Sequence, residues 1–338
     1  MMIAGTYMTA LTTFAGLGAA AILEGQGARK VRLGWTDAME PRLVLTAPEL
    51  ADEDIAAAVL AHARANAEDD SWIMQDLTAA PWNGNSAVFS PRIKGAGSDG
   101  AWAALQVDRH HGIDRLLVTR SASVSLDLIG ALGEPAYWPV AGKNEHPDEG
   151  ASRWEMKTRN RGEDFIRNRL RGLCQIVAAR TPEMVRAGLV GDALLDEAYR
   201  GKRSEESRTS TGLTSPRFTD SALAWCALWG LSSFPVVHSV GRSSVTAGAT
   251  PKGRFTPQHM VLPVLVGQIS LDRWRAVICS SQLDAVAVEG VPSVPAAASW
   301  LTAHGVRGIA RYSVSVSDNA SAPERSIGEC VSLDVLPV

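Results

Sequence analysis

The sequence predicts an α+β fold: a mixed N-terminal unit with short antiparallel strands, followed by a helix-rich region and closing strands. Two observations carry this prediction. Some longer segments repeat apolar residues at helical spacing, whereas several short apolar runs are bounded by turn-forming residues. The composition supports a folded chain, because 46% of the 338 residues are hydrophobic and only 20% are charged. A chain of this length can bury a sizeable core and has room for two ordinary domains.

The N-terminal region is predicted to extend over residues 1–141. Its first apolar run, MTALTTFAGLGAAAIL, has no basic residue before it and is too short to span a bilayer. We therefore predict a buried, alanine-rich helix in a cytoplasmic protein, with no membrane contact. The other predicted elements are a hairpin of 31–36 and 42–46, an amphipathic helix at 48–70, a turn-rich stretch at 81–100 with one short strand (AVF), and helices at 100–118 and 121–133.

The polar stretch GKNEHPDEGA, residues 142–151, is the predicted linker because it contains both Pro and Gly. Residues 152–338 would then form a basic, helix-rich region with C-terminal strands. The predicted elements are helices at 162–180 and directly after Pro182, a loop at 200–217, a Trp-rich helix capped by Thr219 or Asp220, an irregular stretch at 241–258, a strand at 260–268, helices at 270–283 and 295–304, and strands at 308–317 and 329–336.

Cysteine and tryptophan usage gives two further expectations. The four cysteines lie about fifty residues apart and form no CxxC, which suits buried, reduced thiols. Because no His/Cys pair has the spacing of metal ligands, we expect neither a structural metal nor a cofactor. Ten tryptophans are available as packing anchors or subunit contacts. Trp225 and Trp229 lie four residues apart, and either the core or an interface would explain them.

Charge is distributed unevenly along the chain, although the net charge is only −3. Residues 1–100 hold 7 basic and 12 acidic side chains, and residues 101–150 hold 4 and 7. Residues 151–217 hold 14 and 9, and residues 218–338 hold 8 of each. The middle of the chain therefore carries a balance of +5, which the acidic first half conceals in the total.

The basic middle and two Ser/Thr/Gly-rich loops form the predicted nucleic-acid-binding surface, because scattered Lys and Arg among hydroxyls are typical of backbone binders. The predicted contact residues are Arg153, Lys157, Arg159, Arg161, Arg167, Arg171, Lys202, Arg203, Arg208, Arg217, Arg242, Lys252 and Arg254. On a helix beginning near Gly162, Arg167 and Arg171 point away from the apolar face, one turn apart. The alternative is an ordinary solvated face, in which Glu163 and Asp164 pair with Arg167.

Catalytic motifs of the common nucleotide-binding, hydrolase and zinc-protease kinds do not occur in this sequence. The nearest cluster is DRHHGID, in which His110 and His111 could act as an acid–base pair or bind a divalent metal. On a helix, however, Asp108 and His111 share one face while His110 points about 100° away. Surface histidines near a helix end are therefore the preferred interpretation, and no catalytic residue is assigned.

Three stretches, TTFAGLGAAAILE, VRLGWTD and SPRFTDSALAWCALWGLSSFPV, resemble CRISPR-associated proteins of the Csb type from type I-G (formerly I-U) systems. The resemblance covers about the first 40 residues and residues 210–240. It implies a large-subunit-like component of a Cascade complex, with guide RNA, target DNA and other Cascade subunits as partners. A helicase–nuclease would be recruited on target binding. The family role has no catalytic residue to carry over, and recognition of the target sequence would belong to base pairing.

Three other functions stay open on the sequence alone. A guide-RNA-processing endonuclease of the same operon type would need an acid–base histidine, for which AHGVRGIARYS offers His304 beside Gly305 and Gly308. A soluble enzyme would use His110 or His111. An interaction protein would have no nucleic-acid role. We expect the protein not to be an enzyme and to be a non-catalytic nucleic-acid-binding subunit that contributes to target DNA recognition and opened-duplex stabilisation.

Overall fold

The computed structural model describes residues 1–93, 99–118, 122–133, 150–156, 165–198, 209–239, 242–316 and 325–337. Within them the fold is α+β, as predicted. The helices are α1 (Ala10–Gly25), α2 (Asp52–Ala67), α3 (Asp99–Leu117), α4 (Ala122–Leu132), α5 (Arg171–Ala178), α6 (Pro182–Val190), α7 (Ser221–Gly230), α8 (Leu271–Ile278), α9 (Ser281–Glu289) and α10 (Pro295–Ala303). A π-helical turn (Ile166–Leu170) leads into α5, and 3-10 turns occur at Trp72–Met74, Leu231–Ser233 and Val291–Ser293.

Within the described residues, three antiparallel sheets accompany the helices. The strands are β1 (Arg32–Trp35), β2 (Leu43–Thr46), β3 (Val236–Ser239), β4 (Arg242–Thr246), β5 (Ala249–Thr250), β6 (His259–Leu265), β7 (Val306–Val316) and β8 (Arg325–Val335). β1 pairs with β2, β3 pairs with β4, and the remaining four form a sheet in the order β5-β6-β7-β8. The first hairpin is also tied to the segment after β6, because Leu33 and Ile269 exchange backbone hydrogen bonds of 2.8 and 3.0 Å.

The centre of the molecule is the crossing of α1 and α7. Every residue of α7 is buried, and so is every α1 residue from Ala10 to Leu23. Glycine makes this close approach possible: a Cβ at Gly18 would lie 1.7 Å from the Cys226 carbonyl oxygen, and one at Gly230 would lie 2.0 Å from that of Phe14. A helix that is apolar all round is therefore explained by burial on all sides.

The indoles of α7 pack into an aromatic cluster. Trp225 and Trp229 are fully buried, with ring centroids 5.6 Å apart. The imidazole of His62 on α2 lies 4.3 Å from the Trp229 ring in an edge-to-face arrangement, and Trp72 lies 6.2 Å from the same ring. Burial removes the hydration of the imidazolium and lowers the pKa of His62 to about 3. Both α7 tryptophans are thus core residues.

Cap hydrogen bonds and buried ion pairs stabilise the start of α7. Asp220, one of the two predicted caps, is its N-cap, and its Oδ1 accepts hydrogen bonds from the amides of Ala222 and Leu223. The same carboxylate pairs with the buried Arg180 at 2.8 Å. Arg180 also donates to both carboxylate oxygens of Glu197, at 2.9 and 2.6 Å. The segment before α7 is therefore fixed to the end of α5 by fully hydrogen-bonded ion pairs.

One hydrophobic core runs through both predicted regions. Its buried side chains extend from Ile3 to Leu336, and α1 of the first region packs directly against α7 of the second. The predicted boundary near residue 142 therefore does not separate two cores. Residues 142–149 of the predicted linker lie outside the described residues.

Several local predictions need correction. The AVF stretch forms no extended strand: Ala87 makes an isolated antiparallel bridge with Asp76, and the chain then turns, with the Ser90 amide donating to the Ala87 carbonyl at 3.0 Å. The carbonyls of Val88 and Ser90 accept hydrogen bonds from the buried Arg109 side chain. The stretch 241–258 contains β4 and β5, which pair with β3 and β6. The predicted helix at 270–283 divides, because the Ser280 side chain caps a new helix by accepting from the amide of Leu283.

The cysteines are all free, as predicted, but they are not all buried: Cys279 is exposed and Cys330 is half-buried. Among the described residues, no helix combines the length and apolar character needed to cross a membrane.

Candidate nucleic-acid interface

The segment 150–156 is buried and contains the first of the predicted contact residues, Arg153. Arg153 was predicted to contact nucleic acid, but its side chain is buried. Its guanidinium donates to the carbonyls of Ala151 at 2.7 Å and Phe255 at 3.1 Å, and to the Ser244 hydroxyl at 3.1 Å. The prediction for Arg153 is therefore wrong about its position, since the side chain organises the interior instead of facing solvent.

Two residues further on, the fully buried carboxylate of Glu155 binds arginines from distant parts of the chain. Its Oε1 lies 2.5 Å from Nη2 of Arg92 and 3.3 Å from Nη2 of Arg325. Arg169 approaches the backbone of the same residue and donates to the Glu155 carbonyl at 3.4 Å. Buried charges require such partners, because each ion loses its hydration. Glu155 therefore joins three separate chain segments.

The aromatic ring of Phe255 also contacts arginine side chains of this region. The guanidinium carbons of Arg92, Arg153 and Arg325 lie 5.9, 5.3 and 5.8 Å from its centroid. Cations at this distance from an aromatic face are attracted by the ring quadrupole. We call Arg92, Arg153, Glu155, Phe255 and Arg325 the Glu155 cluster.

The loop 209–217 is anchored beside this cluster. Arg169 donates to the Thr211 carbonyl at 2.5 Å, and the amide of Ile327, two residues after Arg325, donates to the Gly212 carbonyl at 2.8 Å. Gly212 has φ +80°, and a Cβ there would lie 2.4 Å from the Cβ of Met156. Only glycine meets both requirements without strain. From this anchored middle the loop runs out to Arg217, which is exposed.

The loop 251–258 is anchored on the same segment through the bond from Arg153 to the Phe255 carbonyl. Arg254, directly before the anchored ring, is exposed. Lys252 is also exposed and pairs with Asp284 on α9. Of the two exposed cations in this loop, Lys252 already has its charge partly neutralised by Asp284, which leaves Arg254 as the better candidate for a phosphate contact.

The predicted pair Arg167 and Arg171 faces Asp76. The Arg171 guanidinium donates to the Asp76 carboxylate at 2.9 Å and to the Ile73 carbonyl at 2.8 Å, so it holds α5 against the turn at 72–74. Arg167 lies 3.8 Å from the same carboxylate and stays partly exposed. The expected local partners Glu163 and Asp164 lie outside the described residues. Asp76, the carboxylate that pairs with both arginines in the structure, is thus remote from them in the sequence.

The remaining predicted contacts are not all described. Six of them, Lys157, Arg159, Arg161, Lys202, Arg203 and Arg208, lie outside the described residues, and for Arg242 only the backbone pairing in β4 is described.

The residues considered for catalysis do not converge. His110 and His111 are both exposed on α3. The His304 ring stacks on the Trp300 ring with a centroid distance of 3.7 Å, and its Nδ1 lies 2.8 Å from the Trp300 carbonyl oxygen. These contacts give His304 a structural role at the end of α10. Among the described residues, no three His, Cys, Asp or Glu side chains are grouped as metal ligands.

Sequence reasoning missed Arg92, Glu155, Arg169 and Arg325 as members of this region. Arg92 and Arg325 are isolated basic residues in turn-rich or strand-like sequence, with no local pattern to mark them. The π turn at 166–170 changes the angular spacing of side chains, so that Arg169 turns inward.

No protein-family model, curated protein or solved structure matches this chain.

Proposed function

We propose that the protein is a non-catalytic nucleic-acid-binding subunit of a cytoplasmic type I CRISPR surveillance complex. In this proposal, the loops 209–217 and 251–258 contact a sugar–phosphate backbone. One observation carries it: parts of both predicted basic loops are tied to the buried segment 150–156 while Arg217 and Arg254 remain exposed. Arg153 donates to the Phe255 carbonyl of the second loop, and Arg169 links the first loop to the segment by donating to the carbonyls of both Thr211 and Glu155. Binding groups held by a rigid interior lose little conformational entropy when they meet a ligand.

The chemistry suits a backbone rather than a base sequence. Arginine donates planar, bidentate hydrogen bonds to phosphate, and the neighbouring loop residues supply hydroxyls and amides. Such contacts carry no sequence information. The assignment to a surveillance complex comes from the resemblance to Csb-type proteins. In such a complex, guide RNA pairs with the target strand, while protein subunits bind the nucleic-acid backbone and stabilise the opened duplex. The partners we propose are guide RNA, target DNA, other Cascade subunits and a recruited helicase–nuclease.

The interface is tested by the salt dependence of binding. Fluorescence anisotropy with labelled DNA gives the dissociation constant at several salt concentrations for the wild type and for the double variant Arg217→Glu/Arg254→Glu. Each phosphate contact that is lost lowers the slope of log K against log salt by about 0.7 to 0.9. The double variant should therefore bind more weakly and with a visibly shallower slope.

The matched control is Arg29→Glu/Arg273→Glu, which makes the same change in net charge at two exposed positions outside both loops. Arg42 and Arg64 are less suitable, because their guanidinium groups donate to backbone carbonyls of Gly5 and Ala178. If the loop variant and the control change the slope equally, only net charge matters and this interface is excluded. Assignment to a surveillance complex is tested by purification from the native host, where a guide RNA of uniform length should co-purify.

A further inference from the structure

Among the described cations of the loops 209–217 and 251–258, Lys252 is the one that pairs with a carboxylate. Its ammonium group binds Asp284, which lies in the first turn of α9. The two side chains remain 43% and 27% exposed. A solvent-exposed pair of this kind is weak, because water screens it and two flexible side chains must be held in one geometry. An anion from solvent can therefore compete for Lys252.

This pair can be exchanged more readily than that of Arg171. The Arg171 guanidinium donates to the Ile73 carbonyl as well as to Asp76, so its position is fixed by the fold. The Lys252 ammonium group is at the end of a flexible four-carbon side chain, and its three N–H donors can turn toward a new acceptor. Lys252 is therefore able to change its partner from a carboxylate to a phosphate.

Lys252 and Arg254 can reach the same stretch of a bound strand. The two residues are two positions apart, so their Cα atoms are separated by about 7 Å at most. The loop that carries them is held at the next residue, because the Phe255 carbonyl accepts a hydrogen bond from Arg153. Phosphates follow one another at about 3.4 Å of rise along each strand of a duplex. A strand that contacts Arg254 therefore brings a neighbouring phosphate to the pair of Lys252 and Asp284.

The carboxylate of Asp284 and a phosphate group compete for the same ammonium group. Both are anions, so the carboxylate also repels a phosphate that approaches Lys252. A single anion gains little by displacing Asp284. A strand that is already bound at Arg217 and Arg254, however, presents its next phosphate at a high effective concentration. The carboxylate therefore favours a continuous polyanion over isolated anions.

We infer that Asp284 is a specificity-determining residue of the proposed interface: its carboxylate occupies Lys252 in the free protein and is displaced by a phosphate when a continuous strand binds. This inference rests on the proposed function and deepens it, since it names the residue that restrains binding at the same site. It also assigns to Lys252 a contact that forms only in the bound state. Removing the charge of Asp284 should strengthen binding, an effect that damage to the fold would not produce.

The experiment is a double-mutant cycle of Asp284→Asn and Lys252→Met, read by anisotropy with labelled DNA at several salt concentrations. Asp284→Asn leaves the Lys252 charge available to a phosphate from the start. One additional phosphate contact steepens the slope of log K against log salt by about 0.7 to 0.9. Binding should therefore become about fivefold to eightfold tighter at about 0.1 M salt, with no gain near 1 M. In the Lys252→Met background, Asp284→Asn should no longer change the slope, because the ammonium group is missing.

Glu289→Gln is the matched control, because it makes the same change in net charge at an exposed position at the other end of α9. It should leave the slope unchanged. If Asp284→Asn steepens the slope no more than this control, or by the same amount in the Lys252→Met background, the inference is overturned. The proposed function still stands in that case if Arg217→Glu/Arg254→Glu gives a shallower slope. If the wild type and Asp284→Asn both fail to bind DNA, both proposals are overturned.

Discussion

Nη2 of Arg92 lies 2.5 Å from Oε1 of Glu155, and both side chains are excluded from solvent. The two residues are more than sixty positions apart, so their ion pair joins two segments that are distant in the sequence. Arg325 shares the same carboxylate oxygen at 3.3 Å. Removing the charge of Glu155 would leave two buried guanidinium groups without that carboxylate.

Glu155→Gln is therefore expected to destabilise the protein strongly while keeping the side-chain shape. Breaking one partner out of a buried ion pair costs about 3–5 kcal/mol, because the remaining charge stays desolvated. Urea unfolding followed by tryptophan fluorescence measures the change. Glu289→Gln, at the exposed end of α9, should change the free energy of unfolding by less than about 0.5 kcal/mol. Equal stability of the Glu155 variant and the wild type would remove the cluster as an organising element.

Gly18→Ala tests the crossing of α1 and α7. The added Cβ would lie 1.7 Å from the Cys226 carbonyl oxygen and 2.6 Å from the Gly230 nitrogen, so the two helices must separate. We expect a loss of at least about 1–3 kcal/mol, the usual cost of overpacking, and a corresponding fall in melting temperature. Gly130→Ala is the opposite case: the position is exposed in α4, and apart from the backbone of its own helix an added Cβ would meet no atom of the described residues within 4 Å. That change should stabilise the helix by up to about 1 kcal/mol.

Stability should fall in mild acid because of His62. Its pKa is about 3 in the folded protein and 6.5 in the unfolded chain, so the unfolded state binds the proton first as pH decreases. Above pH 6.5 the imidazole is neutral in both states and contributes no pH dependence. Between pH 6.5 and 3 the folded state loses about 1.4 kcal/mol per pH unit from this group.

The measurement is urea unfolding of the wild type and of His62→Phe at pH 6.5 and pH 5. Phenylalanine keeps an aromatic ring beside Trp229 but does not titrate. The wild type should lose about 2 kcal/mol more than the variant over this interval. Parallel losses in the two proteins would show that His62 does not remain neutral in the folded state.

The aromatic cluster gives a graded prediction. Trp229→Ala should cost about 3–5 kcal/mol, as expected for deletion of a large buried aromatic side chain. Trp229→Phe should cost clearly less, because the Trp229 Nε1 makes no hydrogen bond within the described part of the chain. Trp72→Phe differs, since the Trp72 Nε1 donates to the Ser125 hydroxyl at 3.1 Å. That variant should lose an additional 1 kcal/mol or so, the usual net value of a hydrogen bond, in the same denaturation assay.

Local patterns in the sequence determined most of the elements. The apolar run at the N-terminus, the hairpin at 31–46, the amphipathic α2 and the capped start of α7 were all predictable. In each case the signal is contained within one segment: periodicity, turn residues or a capping side chain. The basic loops were visible for the same reason, because composition alone marks them.

Tertiary structure alone decided what those loops are attached to. Arg153 is basic and lies in a basic segment, yet its guanidinium is buried on Phe255 and Ser244. Arg92 and Arg325 carry no local signal and still meet at Glu155. The physical reason is that the pairing of buried charges depends on which distant segments the core brings together. The charge of a side chain does not by itself specify which segments those are. The sequence by itself therefore determined where the cations are, and only the fold decided which of them face solvent.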